Sequence, residues 1–128
     1  MICRERAIVF DIDGTLCSKK QGDESYDELL PNAEILLRLR DYRELGFYII
    51  LATSRNMNTH DGNVGLIVAN TAKLLLSWLD RHKVPYDELH IGKPWQGRGG
   101  FYVDDKAIRP DEFLSLTYDE ILGLVGSD

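Results

Sequence analysis

With 128 residues, 44% hydrophobic and 28% charged, the chain has the size and balance of one ordinary soluble domain. A formal net charge of -6 argues against a broad basic face for nucleic acid, so cations that lie near acids become informative. Cys3 and Cys17 lack metal-ligand spacing, the first residues are too polar for a secretory signal, and no apolar run approaches the roughly 20 residues of a membrane span. The expectation is a cytoplasmic protein with free thiols and no membrane partner.

In chain order, Ala7 to Ile12 is rich in branched and aromatic residues and reads as a strand buried on both faces. Asp13-Gly14-Thr15 follows as a turn signal, and Cys17 to Leu30 is polar and irregular. Pro31 opens a helix to about Leu45, with Leu36, Leu37, Leu39 and Leu45 as its apolar face and Gly46 as a left-handed cap. Phe47 to Ala52 reads as a second buried strand and Asn56 to Gly65 as a polar loop. Leu66 to His82 reads as a second helix, apolar at Leu74, Leu75, Trp78 and Leu79. Short strands are expected near Glu88 to Ile91 and Phe101 to Val103, and the Thr117–Glu120 capping box predicts a terminal helix. Alternating strands and helices imply a parallel sheet covered on both faces. One compact α/β domain over 1–128 is the expectation.

The chemistry-bearing residues fall where ligands sit in such folds, at the carboxyl ends of the strands. Asp11 and Asp13 follow the first strand, Thr53, Ser54 and Arg55 the second, Lys93 the third, and Asp104 with Asp105 the fourth. Hard oxygen donors in small number suit Mg²⁺, which keeps several waters and leaves room for a phosphate oxygen. Phosphoryl transfer needs an in-line nucleophile and positive charge around the equatorial oxygens. One carboxylate can attack phosphorus, and a second two residues on can protonate the leaving alkoxide and later activate water. Thr53 could donate a hydrogen bond and Lys93 could neutralise developing charge. Against this stands the plainer reading of Asp-Gly-Thr as an ordinary turn, and of Arg55, Asn56, Asn58 and His60 as loop polars bonded to their own backbone.

The run Val9-Phe10-Asp11-Ile12-Asp13-Gly14-Thr15 resembles the first motif of the haloacid dehalogenase superfamily, and Thr53, Lys93 and Asp104-Asp105 match its next three motifs in order. The resemblance implies a three-layer α/β/α Rossmann-like core with a parallel sheet. It implies Asp11 as nucleophile and metal ligand, Asp13 as general acid/base in the metal site, and Thr53 and Lys93 as phosphoryl binders. Asp104 and Asp105 would complete the Mg²⁺ site. Asp13 itself implies a phosphatase, because the dehalogenase branch lacks an acid there. Further likeness, through Thr53 to Asn58, Gly62 to Gly65, Gly92 to Trp95 and Phe101 to Pro110, is to small phosphatases associated with capsular polysaccharide synthesis. It points to a phosphorylated sugar or glycan intermediate, with Ser54, Arg55 and Asn56 beside the substrate.

Members of that superfamily usually carry a cap domain. Only Leu16 to Leu30 and Asn56 to Gly65 are spare here, and neither reaches the roughly 40 residues that a separate core needs. A capless, open site is expected, closed by a Lys19-Lys20 flap, by the second loop or by another subunit of a homo-oligomer. Three other readings compete. A receiver domain uses similar groups but in a different order. A polynucleotide end phosphatase can share an open site, though the -6 charge disfavours nucleic acid. A catalytically silent binding protein of the same fold would lose Mg²⁺ binding.

Overall fold

The computed structural model describes residues 1–127, and the chain divides into two compact units, one of Met1–Trp95 and one beginning at Gln96. The first unit holds β1 (Cys3–Asp11), a 3₁₀ turn (Tyr26–Glu28), α1 (Ala33–Glu44), β2 (Phe47–Thr53), α2 (Val64–Ile67), a π turn (Val68–Ala72), α3 (Lys73–Arg81) and β3 (Glu88–Ile91). The strands form an open parallel sheet in the order β1-β2-β3.

β1 begins earlier than its apolar run. Cys3 pairs with Phe47 ahead of an irregularity, after which Ala7 pairs with Tyr48. The Cys3 N–H donates to the Gly46 carbonyl at 2.7 Å, a backbone bond that needs no apolar side chain. Burial on both faces does not hold for β1: Phe10 is buried while Val9 is 69% exposed. It holds at the end of β2, where Leu51, Ala52 and Thr53 are all buried.

Asn32 accepts a hydrogen bond from the Ile35 N–H at 3.1 Å and so caps α1, leaving Pro31 ahead of the helix and not in it. The helix buries Ile35, Leu36, Leu39 and Tyr42, a stripe at helical spacing that packs against β2. Leu37 and Leu45, expected on that face, are exposed because they fall off the stripe that Tyr42 completes. Tyr42 meets Phe47 edge-on at 4.9 Å. Gly46 closes the helix with φ of 92°, and a Cβ there would come within 2.5 Å of the Met1 carbonyl oxygen.

The second predicted helix runs from Val64 to Arg81, interrupted by the π turn. Its buried stripe is Ile67, Thr71, Leu75, Trp78 and Leu79, and Leu74 is exposed. Within the π turn the Asn70 amide donates to the Leu66 carbonyl at 2.8 Å, a local bond that competes with regular helix. The Trp78 indole N–H donates to the Leu29 carbonyl at 2.7 Å and pins the irregular stretch before α1 to α3.

The second unit contains α4 (Pro110–Ser115) and α5 (Tyr118–Val125). The predicted capping box is present: Thr117 Oγ1 accepts from the Glu120 N–H at 3.2 Å, and Glu120 Oε1 accepts from the Thr117 N–H at 2.9 Å. α4 was foreshadowed by Pro110 followed by Asp111 and Glu112, a helix-start pattern. The strand expected at Phe101 to Val103 does not form among the described residues. A short apolar run has strand propensity, but a strand exists only through its ladder bonds. No helix of the described residues is long and apolar enough to cross a membrane.

Trp78→Phe removes the indole donor and leaves the buried Leu29 carbonyl unpaired, so it should cost about 1–3 kcal/mol of stability. Urea unfolding checks this; an unchanged midpoint would mean that the bond does not hold the segment down.

Candidate functional site

Parallel pairing brings the ends of β1, β2 and β3 to one edge, with Asp11 opposite Ala52 and Thr53 opposite Ile91. Beyond β1 the chain curls around the Ile12 carbonyl, which accepts from the N–H groups of Thr15, Leu16 and Cys17 at 3.2, 2.9 and 3.2 Å. That curl returns Thr15 to the strand end, where its Oγ1 donates to Asp11 Oδ2 at 3.1 Å.

Lys93 arrives from the other side. The N–H groups of Gly92 and Lys93 both donate to the Thr53 carbonyl, at 3.1 and 2.9 Å, and Lys93 Nζ lies 3.3 Å from Asp11 Oδ1. The turn requires glycine: Gly92 has φ of 99°, and a Cβ would press on Val64 Cγ2 at 3.0 Å. Each oxygen of Asp11 therefore has a donor, yet its side chain stays 32% exposed and reachable from solvent.

Asp13 is held differently. Arg55 Nε donates to its Oδ2 at 3.0 Å and Nη2 to its Oδ1 at 2.8 Å, a two-point grip by a guanidinium only 2% exposed. The Tyr26 ring covers that guanidinium, with Cζ 4.1 Å from the ring centroid. Buried Thr53 fixes the root of Arg55, its Oγ1 accepting the Arg55 N–H at 3.0 Å, which leaves the hydroxyl proton for another acceptor.

The strand ends thus gather Asp11, Asp13, Thr53, Arg55 and Lys93. Arg55, expected beside substrate, is turned inward onto Asp13. Asn56, expected there too, adopts φ of 63° and donates through Nδ2 to Thr71 Oγ1 at 2.7 Å. Ser54 is partly exposed, and its carbonyl accepts the Met57 N–H at 2.9 Å. Asp104 and Asp105 belong to the second unit, where both are exposed and Asp104 Oδ1 accepts the Lys106 N–H at 2.8 Å. Sequence reasoning missed Thr15, Cys17, Tyr26 and Thr71. The Asp11–Thr15 spacing across a tight turn could have suggested the first; Tyr26 meets Arg55 only through the fold and carried no local signal.

A crystal structure of a structural-genomics target from Vibrio cholerae matches with a TM-score of 0.88 and 46% identity, over 94% of this chain and 96% of that one. The chain belongs to the family of that protein. Chains in two structures of the Pnkp1/Rnl/Hen1 complex, described in one as an RNA repair complex, share the fold at a TM-score of 0.52 and 21% identity. The alignments cover 73% and 88% of this chain but 28% and 34% of theirs. No family model matches the sequence, and neither does any curated protein.

Among the described residues no group of three or more His, Cys, Asp or Glu is gathered to hold a metal. Asp11 nevertheless offers a hard carboxylate oxygen at the strand end and Asp13 its backbone carbonyl, donor types that fit a Mg²⁺ ion keeping most of its waters. Cys17 lies beside Asp13, its Sγ–H donating to Asp13 Oδ1 at 3.6 Å. Burial, and then the Asp13 charge, push its thiol up to about 12. Burial and the same charge also raise the Tyr26 phenol.

The fold holds the Cys17 thiol neutral. Its contribution to stability is complete below the thiol's ordinary value of 9.0 and is lost as pH rises towards about 12. At pH 8, iodoacetamide should label the partly exposed Cys3 while Cys17 reacts only after denaturation. Peptide mass spectrometry reads the order; equal labelling of both in the native protein would contradict the burial.

Proposed function

We propose that the chain is a Mg²⁺-dependent phosphomonoester hydrolase of the haloacid dehalogenase type, working through an aspartyl-phosphate on Asp11. The observation that supports this reading is the difference in surroundings between two acids at one strand end. Asp11 is accessible and flanked by Lys93 and Thr15, while Asp13 is set apart by Arg55.

In this reading Asp13 enters the step protonated at a lone pair outside the Arg55 fork; an Asp11 oxygen attacks phosphorus, the bond to the leaving oxygen breaks, and Asp13 passes its proton to the alkoxide. Asp13 then takes a proton from water as that water attacks the phosphoryl group, and phosphate leaves with Asp11 restored. Lys93 and the Thr53 hydroxyl balance charge on the equatorial oxygens. A bound Mg²⁺ would offset the negative charge between Asp11 and the phosphate. Asp11 and Asp13 would hold it from the first unit; the assignment of Asp104 and Asp105 as ligands rests on sequence likeness.

The substrate class we favour is a phosphorylated sugar or glycan intermediate of capsule or polysaccharide synthesis, on the strength of the extended sequence likeness. The spare stretches 16–30 and 56–65 hold turns, bridges, one short 3₁₀ helix and the first two residues of α2, in keeping with an open site that admits a large substrate. A second reading is a polynucleotide end phosphatase, favoured by the fold likeness to a chain of an RNA repair complex and opposed by the net charge of -6. A silent binding protein of the same fold would bind no Mg²⁺ and release no phosphate.

Asp11→Asn should lower kcat by on the order of 10³ or more with the urea midpoint little changed, since only the nucleophile is lost. Near wild-type turnover in that variant would sink the assignment. Phosphate release across phosphorylated sugars, nucleotides and a polynucleotide 3′-phosphate should require Mg²⁺, stop with chelator and be fastest on a sugar phosphate. Preference for the polynucleotide with a steep loss in added salt would move the assignment to the second reading.

A further inference from the structure

We infer that Tyr26 and Arg55 are positioning residues for Asp13, so that the irregular segment after β1 sets the aim of the proposed general acid; this rests on the reading of Asp13 given above. The argument begins with what a carboxylate is free to do at a strand end. On a turn, an aspartate side chain can rotate among staggered χ1 wells. A group that must meet a leaving oxygen cannot use most of them, and a displacement near 1 Å can cost on the order of 10² in rate.

Arg55 removes that freedom. Its planar fork fixes the plane of the Asp13 carboxyl group through two parallel bonds, at 3.0 and 2.8 Å, which a lysine could not reproduce. An ionised carboxylate has about four lone-pair sites, so the fork leaves sites on the same oxygens for a proton or a substrate. Arg55 is itself fixed at its root by the bond from its N–H to Thr53 Oγ1, and along its face by Tyr26 at 4.1 Å.

Tyr26 links this assembly to the loop. It opens the 3₁₀ turn Tyr26–Glu28, which Ser25 caps by accepting the Asp27 N–H at 3.1 Å. The turn is tied down by Arg81 Nη2 on Asp27 Oδ1 at 2.7 Å and, just beyond it, by the Trp78 bond to Leu29. Lys20 Nζ also lies 5.4 Å from the Tyr26 ring centroid, so a second residue of the loop meets the same ring. The ring face, and not the phenol, makes the contact with Arg55. The tyrosine is therefore needed as an aromatic plane.

Two experiments test this. The first measures hydrolysis of para-nitrophenyl phosphate with Mg²⁺ by wild type, Asp13→Asn, Arg55→Lys, Tyr26→Phe and Tyr26→Ala. Asp13→Asn should abolish turnover. Arg55→Lys should lower kcat by on the order of 10², and Tyr26→Ala by about tenfold, with KM within about threefold in both. Tyr26→Phe should stay within about twofold of wild type because the plane is kept. If Asp13→Asn turns over normally, the reading of Asp13 fails. If it is inactive while Tyr26→Ala is unaffected, or Phe and Ala lose equally, or the losses fall in KM, the positioning role is overturned alone. The second experiment needs no turnover and covers an Arg55 variant that does not fold: χ1-dependent NMR couplings of Asp13. Wild type and Tyr26→Phe should show one rotamer and Tyr26→Ala an average. Averaging in wild type, or a single rotamer retained in Tyr26→Ala, would overturn the proposal.

Discussion

A charged fork buried against one carboxylate constrains everything at this strand end. Arg55 is removed from water, and truncating one member of such a pair typically costs about 3–5 kcal/mol because the other charge is stranded. The pair can form only if β1 and β2 hold their register, because Asp13 lies just past Asp11 and Arg55 just past Thr53. It also needs the segment after β1 to return over the guanidinium with Tyr26. Sheet pairing, loop path and side-chain aim are therefore one requirement. Asp11 and Asp13, two residues apart, consequently live in different surroundings, one open with an amine beside it and the other gripped from the protein side.

Much of the frame was legible because it depends on local patterns. The strand Glu88–Ile91, the Gly46 cap and the Thr117–Glu120 box each follow from chemistry within a few residues, and each is present as read. The apolar face of α1 was partly misread because leucines were counted and Tyr42 was not, although Tyr42 completes the helical stripe and leaves Leu37 outside it. The π turn at Val68–Ala72 coincides with a local Asn70 bond to the Leu66 carbonyl and a long-range one in which Thr71 accepts from Asn56, neither of which propensity weighs. Phe101 to Val103 had the composition of a strand, but composition does not supply ladder bonds.

At the site itself the residue types were readable and their partners were not. Asp11 and Lys93 lie far apart in sequence and meet because a parallel sheet sends β1 and β3 to the same edge. Arg55 looked like a cation offered to an anionic substrate; in the structure it is buried and paired with Asp13. That leaves Lys93 as a cation of the first unit beside the accessible acid, suited to balance a phosphoryl group in an acidic protein. Family membership with the Vibrio cholerae protein extends over nearly the whole chain, so the same arrangement should be sought there.

The central claim is that Asp11 becomes covalently phosphorylated, and chemical trapping tests it most directly. Protein turning over para-nitrophenyl phosphate with Mg²⁺ would be quenched with borohydride, which reduces an acyl-phosphate, and the peptide carrying residues 7–19 would be examined by mass spectrometry. The account predicts homoserine at position 11 and aspartate at position 13, with no reduction when phosphate ester is left out. Continued phosphate release with position 11 unreduced, or reduction at position 13 instead, would contradict it.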